Sequence, residues 1–337
     1  MKTPRKSPRN VTRTPRRRVF ITGCSGYLAQ RLVEKLLQER TIEWIGGNDV
    51  RPPQRRERFH YFPIDIRSTE LVNVLRENRV DTIVHLAWVF NPHHDPQQEY
   101  EIDVKGSENV LHAVLAARVR HLVYLSSTTS YGAHADNPNV LDEDAPRRGH
   151  PTFLYSKYKA VVDSLMLEFH RRDPSIGFFM VRAPIVFGPH TRNFVTAFTE
   201  LPVVFGVRGY DPPMQFLHED DIQRLLAWAV VNKPQGTYVV SGHGTVSYSE
   251  VARLMKRPYA ALPAGILHAL VTLGWKLHIL PFPASILDFI RYPWVSAMKQ
   301  FPKRYRFPIH YSSREAVLAY AKARWPEKFT RMESTSS

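Results

Sequence analysis

Cysteine is almost missing from this sequence: Cys24 is the only one. No internal disulfide can form, so a reducing, cytoplasmic setting is expected. Also missing is an apolar run of the ~20 residues that a membrane-spanning helix needs. The nearest stretch, LPAGILHALVTLGWKLHILPFP, is broken by Lys276, two histidines and prolines, and reads as an amphipathic element. Acids are absent from residues 1–18, which hold eight Lys/Arg and three prolines. So little apolar surface cannot offset the entropy of ordering, and a disordered basic tail is expected there. It is no signal peptide, because RVFITG opens a strand where an apolar core should follow. Without the tail, the formal net charge of +15 falls to +7. The tail could meet an anionic membrane or nucleic acid, but a solvated extension is the simpler account.

What is present from residue 19 is an alternation of short β-branched runs with helical segments, the pattern of a parallel α/β sheet. RVFITG is a strand. GYLAQRLVEKLLQE is a helix with Leu28, Leu32, Val33 and Leu36 on one face. IEWIGGNDV is a second strand. DTIVHLAWV and HLVYLSS are nearly continuous apolar runs, as strands buried on both faces should be. DVKGSENVLHAVLAAR is a helix between them, another starts near Tyr155, and GFFMVRAPIVFG is a further strand. The fold class read from this order is α/β, a Rossmann-type doubly wound sheet with a smaller, interleaved C-terminal domain. The expected division is a tail at 1–18, a dinucleotide-binding domain at 19–188 with a returning segment at 215–242, a substrate domain at 189–214 and 243–330, and a flexible end at 331–337.

The turn in VFITGCSGYLAQRL places Gly23 and Gly26 at a strand-to-helix junction. Glycines there let backbone N–H groups approach a pyrophosphate, which then sits at a helix N-terminus. A glycine turn alone means little, but this one has a strand before it and a helix after it. Asp49 ends the second strand, where a carboxylate can hold ribose hydroxyls and so favours NAD. Arg51, Arg55 and Arg56 follow it and could reverse that preference toward NADP.

Tyr155 and Lys159 stand four residues apart on one helix face. An ammonium group beside a phenol favours the phenolate, so the pair makes a candidate acid/base. Ser127 ends a buried strand, where ligands bind in open α/β sheets, and its hydroxyl can orient a reacting oxygen.

With these residues the chain resembles an extended short-chain dehydrogenase/reductase of the NAD-dependent epimerase/dehydratase family, over about residues 18–245. Thr22-Gly23-x-x-Gly26-x-x-Ala29 resembles the family's dinucleotide turn, with Ala29 for its last glycine. The resemblance implies Ser127, Tyr155 and Lys159 as catalytic residues. It implies a cofactor, NAD or NADP, held by Gly23, Ser25, Gly26, Tyr27, Leu28, Asp49, Arg51, Asp65, Ile66, Leu86, Ala87, Tyr155, Lys159 and Pro184. It further implies a homodimer through helices at 104–118 and 155–170. Asp103 stands where the family has an asparagine.

Departures from the family narrow the reaction. Thr128 and Thr129 occupy the positions of the acid pair that sugar dehydratases use, which argues against dehydration. Ile185 replaces an asparagine and Met214 an arginine that hold nucleotide sugars, and a diphosphate without its arginine loses charge-assisted bonds. Trp88, Thr128, Ile185 and Met214 are the candidate substrate residues. An aromatic, aliphatic C-terminal region points to an apolar or amphipathic secondary alcohol or ketone, and equally to a plain core. The alternatives are a nucleotide-sugar epimerase and, from another class, a dinucleotide-sensing or RNA-binding module. Peripheral membrane contact through 261–281 is a third, and carries the least weight. The expected partner is a small-molecule substrate, with no specific nucleic acid. His93 and His94 are assigned to a loop surface, and Glu219, Asp220 and Asp221 to a helix N-terminus rather than a metal site.

Overall fold

A strand whose successive side chains are all apolar can bury both faces, and the central strands do so in strict alternation. In β1 (Arg17–Thr22), Val19 and Ile21 face one layer and Phe20 the other. The computed structural model describes residues 16–54, 57–192 and 194–330. Residues 1–15, Arg55, Arg56, Asn193 and 331–337 lie outside the described residues, and with them most of the basic tail and the C-terminal end.

The first half of the chain runs β1, α1 (Tyr27–Leu36), β2 (Ile42–Asn48), β3 (His60–Phe62), α2 (Glu70–Glu77), β4 (Thr82–His85), α3 (Pro96–Tyr100), a π-helical turn (Glu101–Lys105), α4 (Gly106–Ala116), β5 (His121–Ser127), a 3-10 turn (Thr128–Tyr131), α5 (Leu154–Arg172) and β6 (Gly177–Ala183). The second half runs β7 (Ile185–Phe187), α6 (Phe194–Glu200), β8 (Val204–Val207), β9 (Pro213–Met214), β10 (Phe216–His218), α7 (Glu219–Asn232), β11 (Gly236–Val239), β12 (Val246–Ser247), α8 (Tyr248–Leu254), β13 (Tyr259–Leu262), α9 (Ala264–Lys276), a 3-10 segment (Ala284–Ile290), α10 (Gln300–Arg304) and α11 (Ser313–Arg324).

Seven strands form one sheet in the order β11-β6-β5-β4-β1-β2-β3, and every neighbouring pair is parallel. One layer packs α1 and α7 on the sheet, through Leu32, Leu36, Ile222 and Leu226. The other packs α2, α4 and α5, through Leu75, Val110, Val162 and Met166. Chain order reverses between β1 and β4, so their C-terminal ends open the crevice where such sheets hold ligands.

Three expectations need correcting. The first strand starts at Arg17, so Arg17 and Arg18 are not tail. The Arg17 amide donates to Thr41 O, the Arg18 amide to Asp81 at 2.6 Å, and the Arg18 guanidinium pairs with Glu43. The single strand expected in GFFMVRAPIVFG is cut at Pro184, which has no N–H to give to a ladder. β6 stays in the central sheet, whereas β7 leaves it to pair with β10. Finally, not all of 243–330 builds a second core. Phe282, Phe289 and Tyr320 join a separate cluster, while Phe301, Tyr305 and Phe307 pack with α7 on the central sheet.

Candidate active site

The β1–α1 turn is built by close backbone approach. Gly23 sits at φ +66°, and a Cβ there would lie 2.6 Å from the Ala87 Cα. Its carbonyl accepts the Gly26 amide at 3.0 Å. Gly26 precedes α1, and no side chain caps that helix, so its first amides are free for an anion. Asp49 follows β2. One carboxylate oxygen accepts the Ser25 amide at 3.1 Å and the other the Arg51 amide at 3.0 Å. Asp49 therefore braces the turn from behind.

A hydrogen-bonded chain that sequence reading missed fixes the next strand. Thr22 Oγ1 accepts the Leu86 and Ala87 amides at 3.1 and 3.2 Å and contacts His85 Nδ1 at 2.7 Å. His85 Nε2 lies 3.0 Å from Ser107 Oγ, whose proton goes to Asp103 O. Ser107 must then accept from Nε2–H, and Thr22 must donate to Nδ1. Burial pushes His85 down to about 3, with the Lys159 charge adding to it, so the ring is neutral. The sequence shows only a threonine ending one strand and a histidine ending its neighbour.

Ser127 ends β5 and accepts the Thr129 amide at 3.2 Å. Ser156 donates to Thr129 O at 2.6 Å, which ties the first turn of α5 to that strand end. Two turns on, buried Asp163 accepts from Ser126 and from Arg182, the latter at 2.6 Å. These bonds set Tyr155 and Lys159 against Ser127. Lys159 Nζ donates to Leu125 O at 3.2 Å and lies 3.4 Å from the Trp88 ring centroid.

Burial governs the electrostatics of both groups. Burial pushes the Tyr155 phenol above its usual range, and the Ser127 hydroxyl opposes this only in part. Burial also lowers Lys159 to about 7, against the pull of Asp103 and Asp163. Both groups are desolvated in the same apolar crevice, and the amine sits 5.9 Å from the Tyr155 ring centroid. Asp103, wholly buried on the π-helical turn, accepts the Val89 amide at 2.7 Å. Its other carboxylate oxygen has no hydrogen-bond partner among the described residues. Burial pushes this acid up to about 8.

One cavity of about 350 Å³ joins these parts. Of the expected residues it brings together Gly23, Gly26, Tyr27, Leu28, Leu86, Ala87, Trp88, Ser127, Tyr155, Lys159, Pro184, Ile185 and Met214. Ser25, Asp49, Arg51, Asp65, Ile66 and Thr128 are not on its wall. Asp65 is held by Arg67, which keeps its carboxyl below the usual range. Ile66 is buried under α4, and Thr128 turns into the protein while Thr129 lines the cavity. The far wall is aromatic and aliphatic, with Phe153, Phe194, Phe198, Phe289 and Trp294. Among the described residues no Asp or Glu lines the cavity, and its cationic side chains are Lys159 and Arg192.

His94 is not simply loop surface: its ring stacks on Trp275 at 3.7 Å and on His278 at 4.1 Å, joining the loop after β4 to the end of α9. Glu219 opens α7 buried, pushed up to about 7, with the His190 ring at 2.7 Å. Asp221 accepts the His310 and Tyr311 amides. Among the described residues, no three His, Cys, Asp or Glu side chains gather as a metal set.

A parallel sheet with a glycine turn at its switch point and a serine, tyrosine and lysine in the adjoining crevice defines a dinucleotide-binding α/β protein of the extended short-chain dehydrogenase/reductase type. The model of the NAD dependent epimerase/dehydratase family matches residues 19–241, and the chain belongs to that family. An uncharacterized protein of Mycobacterium tuberculosis is 26% identical over 253 residues, 73% of this chain and 67% of that one. An N-acetyl-alpha-D-glucosaminyl-diphospho-ditrans,octacis-undecaprenol 4-epimerase of Escherichia coli O157:H7 is 25% identical, over 52% of this chain and 51% of its own. Among solved structures, the UDP-Glc/GlcNAc 4-epimerase of Campylobacter jejuni superposes with a TM-score of 0.70 at 16% identity, over 93% of this chain and 99% of that one. MoeE5 in complex with UDP-glucuronic acid and NAD gives 0.69 at 21%, over 92% and 99%.

Proposed function

We propose that this protein is an NAD-dependent oxidoreductase or epimerase acting on a secondary alcohol or ketone of an apolar or amphipathic, non-nucleotide substrate. The observation that carries the reading is the cavity itself: Ser127, Tyr155 and Lys159 at one end, and an aromatic, carboxylate-free wall that includes Ile185 and Met214. The cofactor fits the residues present. The cavity reaches the turn at Gly23 and Gly26, no side-chain cap closes α1 among the described residues, and Asp49 holds the turn from behind. Gly23, Gly26, Tyr27, Leu28, Leu86, Ala87, Pro184 and Lys159 would hold it, and NAD when bound supplies the exchange of hydride with a substrate carbon.

Ser127 orients the reacting oxygen through its hydroxyl. Tyr155 moves a proton at that oxygen, and its raised phenol suits donation to a forming alkoxide. Withdrawing a proton instead requires Lys159 charged beside it, which Asp103 and Asp163 favour. The aromatic wall excludes water and takes up apolar groups of the substrate. Titration with NADH should show binding by the wild type and by Tyr155→Phe, with turnover falling ~10²–10⁴-fold in the variant. Absence of nicotinamide binding overturns the assignment.

Arg192 on the cavity wall favours a second reading, a nucleotide-sugar epimerase, since one arginine can pair a diphosphate. Thermal-shift screening separates the two: UDP-sugars stabilising the protein more than sterol-like alcohols would select the epimerase. A homodimer across α4 and α5 belongs to either reading, with Leu115 and Val161 exposed there. A monomeric mass by sedimentation rejects it.

A further inference from the structure

Helix α9 buries only Leu267 and Val271. Ile266, Leu270, Leu273 and Leu277, spaced four, three and four apart, form a stripe along its flank, and Ile279 extends it into the following turn. Each of the five is more than half exposed. No Asp or Glu lies between Glu250 and Asp288, while Lys276, His268 and His278 sit on or beside the helix. An apolar ridge whose own segment, 251–287, carries Lys276 at the helix end and no acid complements a surface that is oily within and negative at its face.

We infer that α9 is an interfacial anchor that seats this protein on an anionic lipid bilayer. The helix lies flat with its stripe among the acyl chains, and Lys276 stays at the headgroups. It does not cross: among the described residues no helix is long and apolar enough to span a membrane. A second copy of the chain fits less well, because one helix flank is a narrow ridge and a standard interface covers roughly 800 Å² per partner. The inference goes beyond the proposed activity. The faces of α9 that point inward join the same cluster as Phe194 and Phe198 of the cavity wall, so an anchored molecule would hold its apolar cavity close to where amphipathic substrates dissolve.

Flotation of the full chain tests this with vesicles of phosphatidylcholine alone and with vesicles in which one-third of the lipid is phosphatidylglycerol. Wild type is expected to float with the anionic vesicles and several-fold less with the neutral ones. Leu270→Glu with Leu273→Glu should cut the floating fraction at least tenfold while the circular dichroism spectrum stays unchanged. Ile279→Glu, in the turn, gives a second variant that leaves the helix itself intact. Equal flotation of wild type and variants overturns the anchor and assigns binding elsewhere, such as the basic N-terminal segment. Wild type staying with the unbound fraction also overturns it, as does a wild-type dimer that the double substitution dissolves. NADH binding measured on the same preparations reports the active-site reading separately.

Discussion

Gly23 and Gly26 stand three residues apart in one turn, yet replacing each by alanine should produce different defects. At Gly23 the backbone is left-handed, which costs an L-residue about 1–2 kcal/mol. The added Cβ would also lie 2.6 Å from the Ala87 Cα and 2.8 Å from its nitrogen. Those are backbone atoms of the adjoining β4 end, so the two strand ends must separate. Together the strain and the displacement should cost roughly 2–3 kcal/mol, a drop of about 3–4 °C in Tm for a chain of this size. At Gly26 the φ of −66° suits alanine, and the nearest atom to a new Cβ is the Gly23 oxygen at 3.1 Å. Gly26→Ala should therefore melt within about 1 °C of wild type. Its methyl nevertheless stands at the mouth of the uncapped helix, so NADH affinity should fall at least tenfold, about 1.4 kcal/mol. Differential scanning calorimetry and fluorescence titration with NADH read the two effects. A Gly23→Ala protein that melts like wild type refutes the close-approach argument. A Gly26→Ala protein that binds NADH normally refutes the placement of the cofactor at this turn.

Asp163→Asn should destabilise the protein by ~3–5 kcal/mol, because Arg182 would be left buried without its counter-charge; a loss below about 1 kcal/mol in urea unfolding contradicts this. His85 is lowered to about 3 and His121 to about 4. On acidification below ~6.5 the unfolded chain takes up these protons first, so both contributions to stability decline from there toward pH 3. Glu219, raised to about 7, acts with the opposite sign as pH rises above its unfolded value. Heteronuclear NMR should find the His85 ring neutral at pH ~5 with its proton on Nε2, and a titration near ~6.5 would sink the Thr22–His85–Ser107 assignment. Cys24 is buried and its thiol is pushed up to about 12, chiefly by burial. It should resist Ellman's reagent until the protein unfolds, and rapid native labelling would disprove that burial.

The α/β class, the glycine turn and the Ser127, Tyr155, Lys159 set were legible because each depends on local pattern. An apolar run marks a doubly buried strand, and four residues make one helical turn. Proline at 184 was visible too, but not where β7 would go after leaving the sheet, since its partner β10 lies about 30 residues further on. Thr22, His85 and Ser107 are ordinary residues on separate elements, and only packing makes them one hydrogen-bonded chain. The same holds for Asp103 and Lys159: residue type determined that each can ionise, while burial beside one another decided how readily they do. Sequence could place an amine near a phenol by spacing alone. It took the tertiary structure to show that both lie in an apolar crevice, where desolvation raises the phenol and lowers the amine.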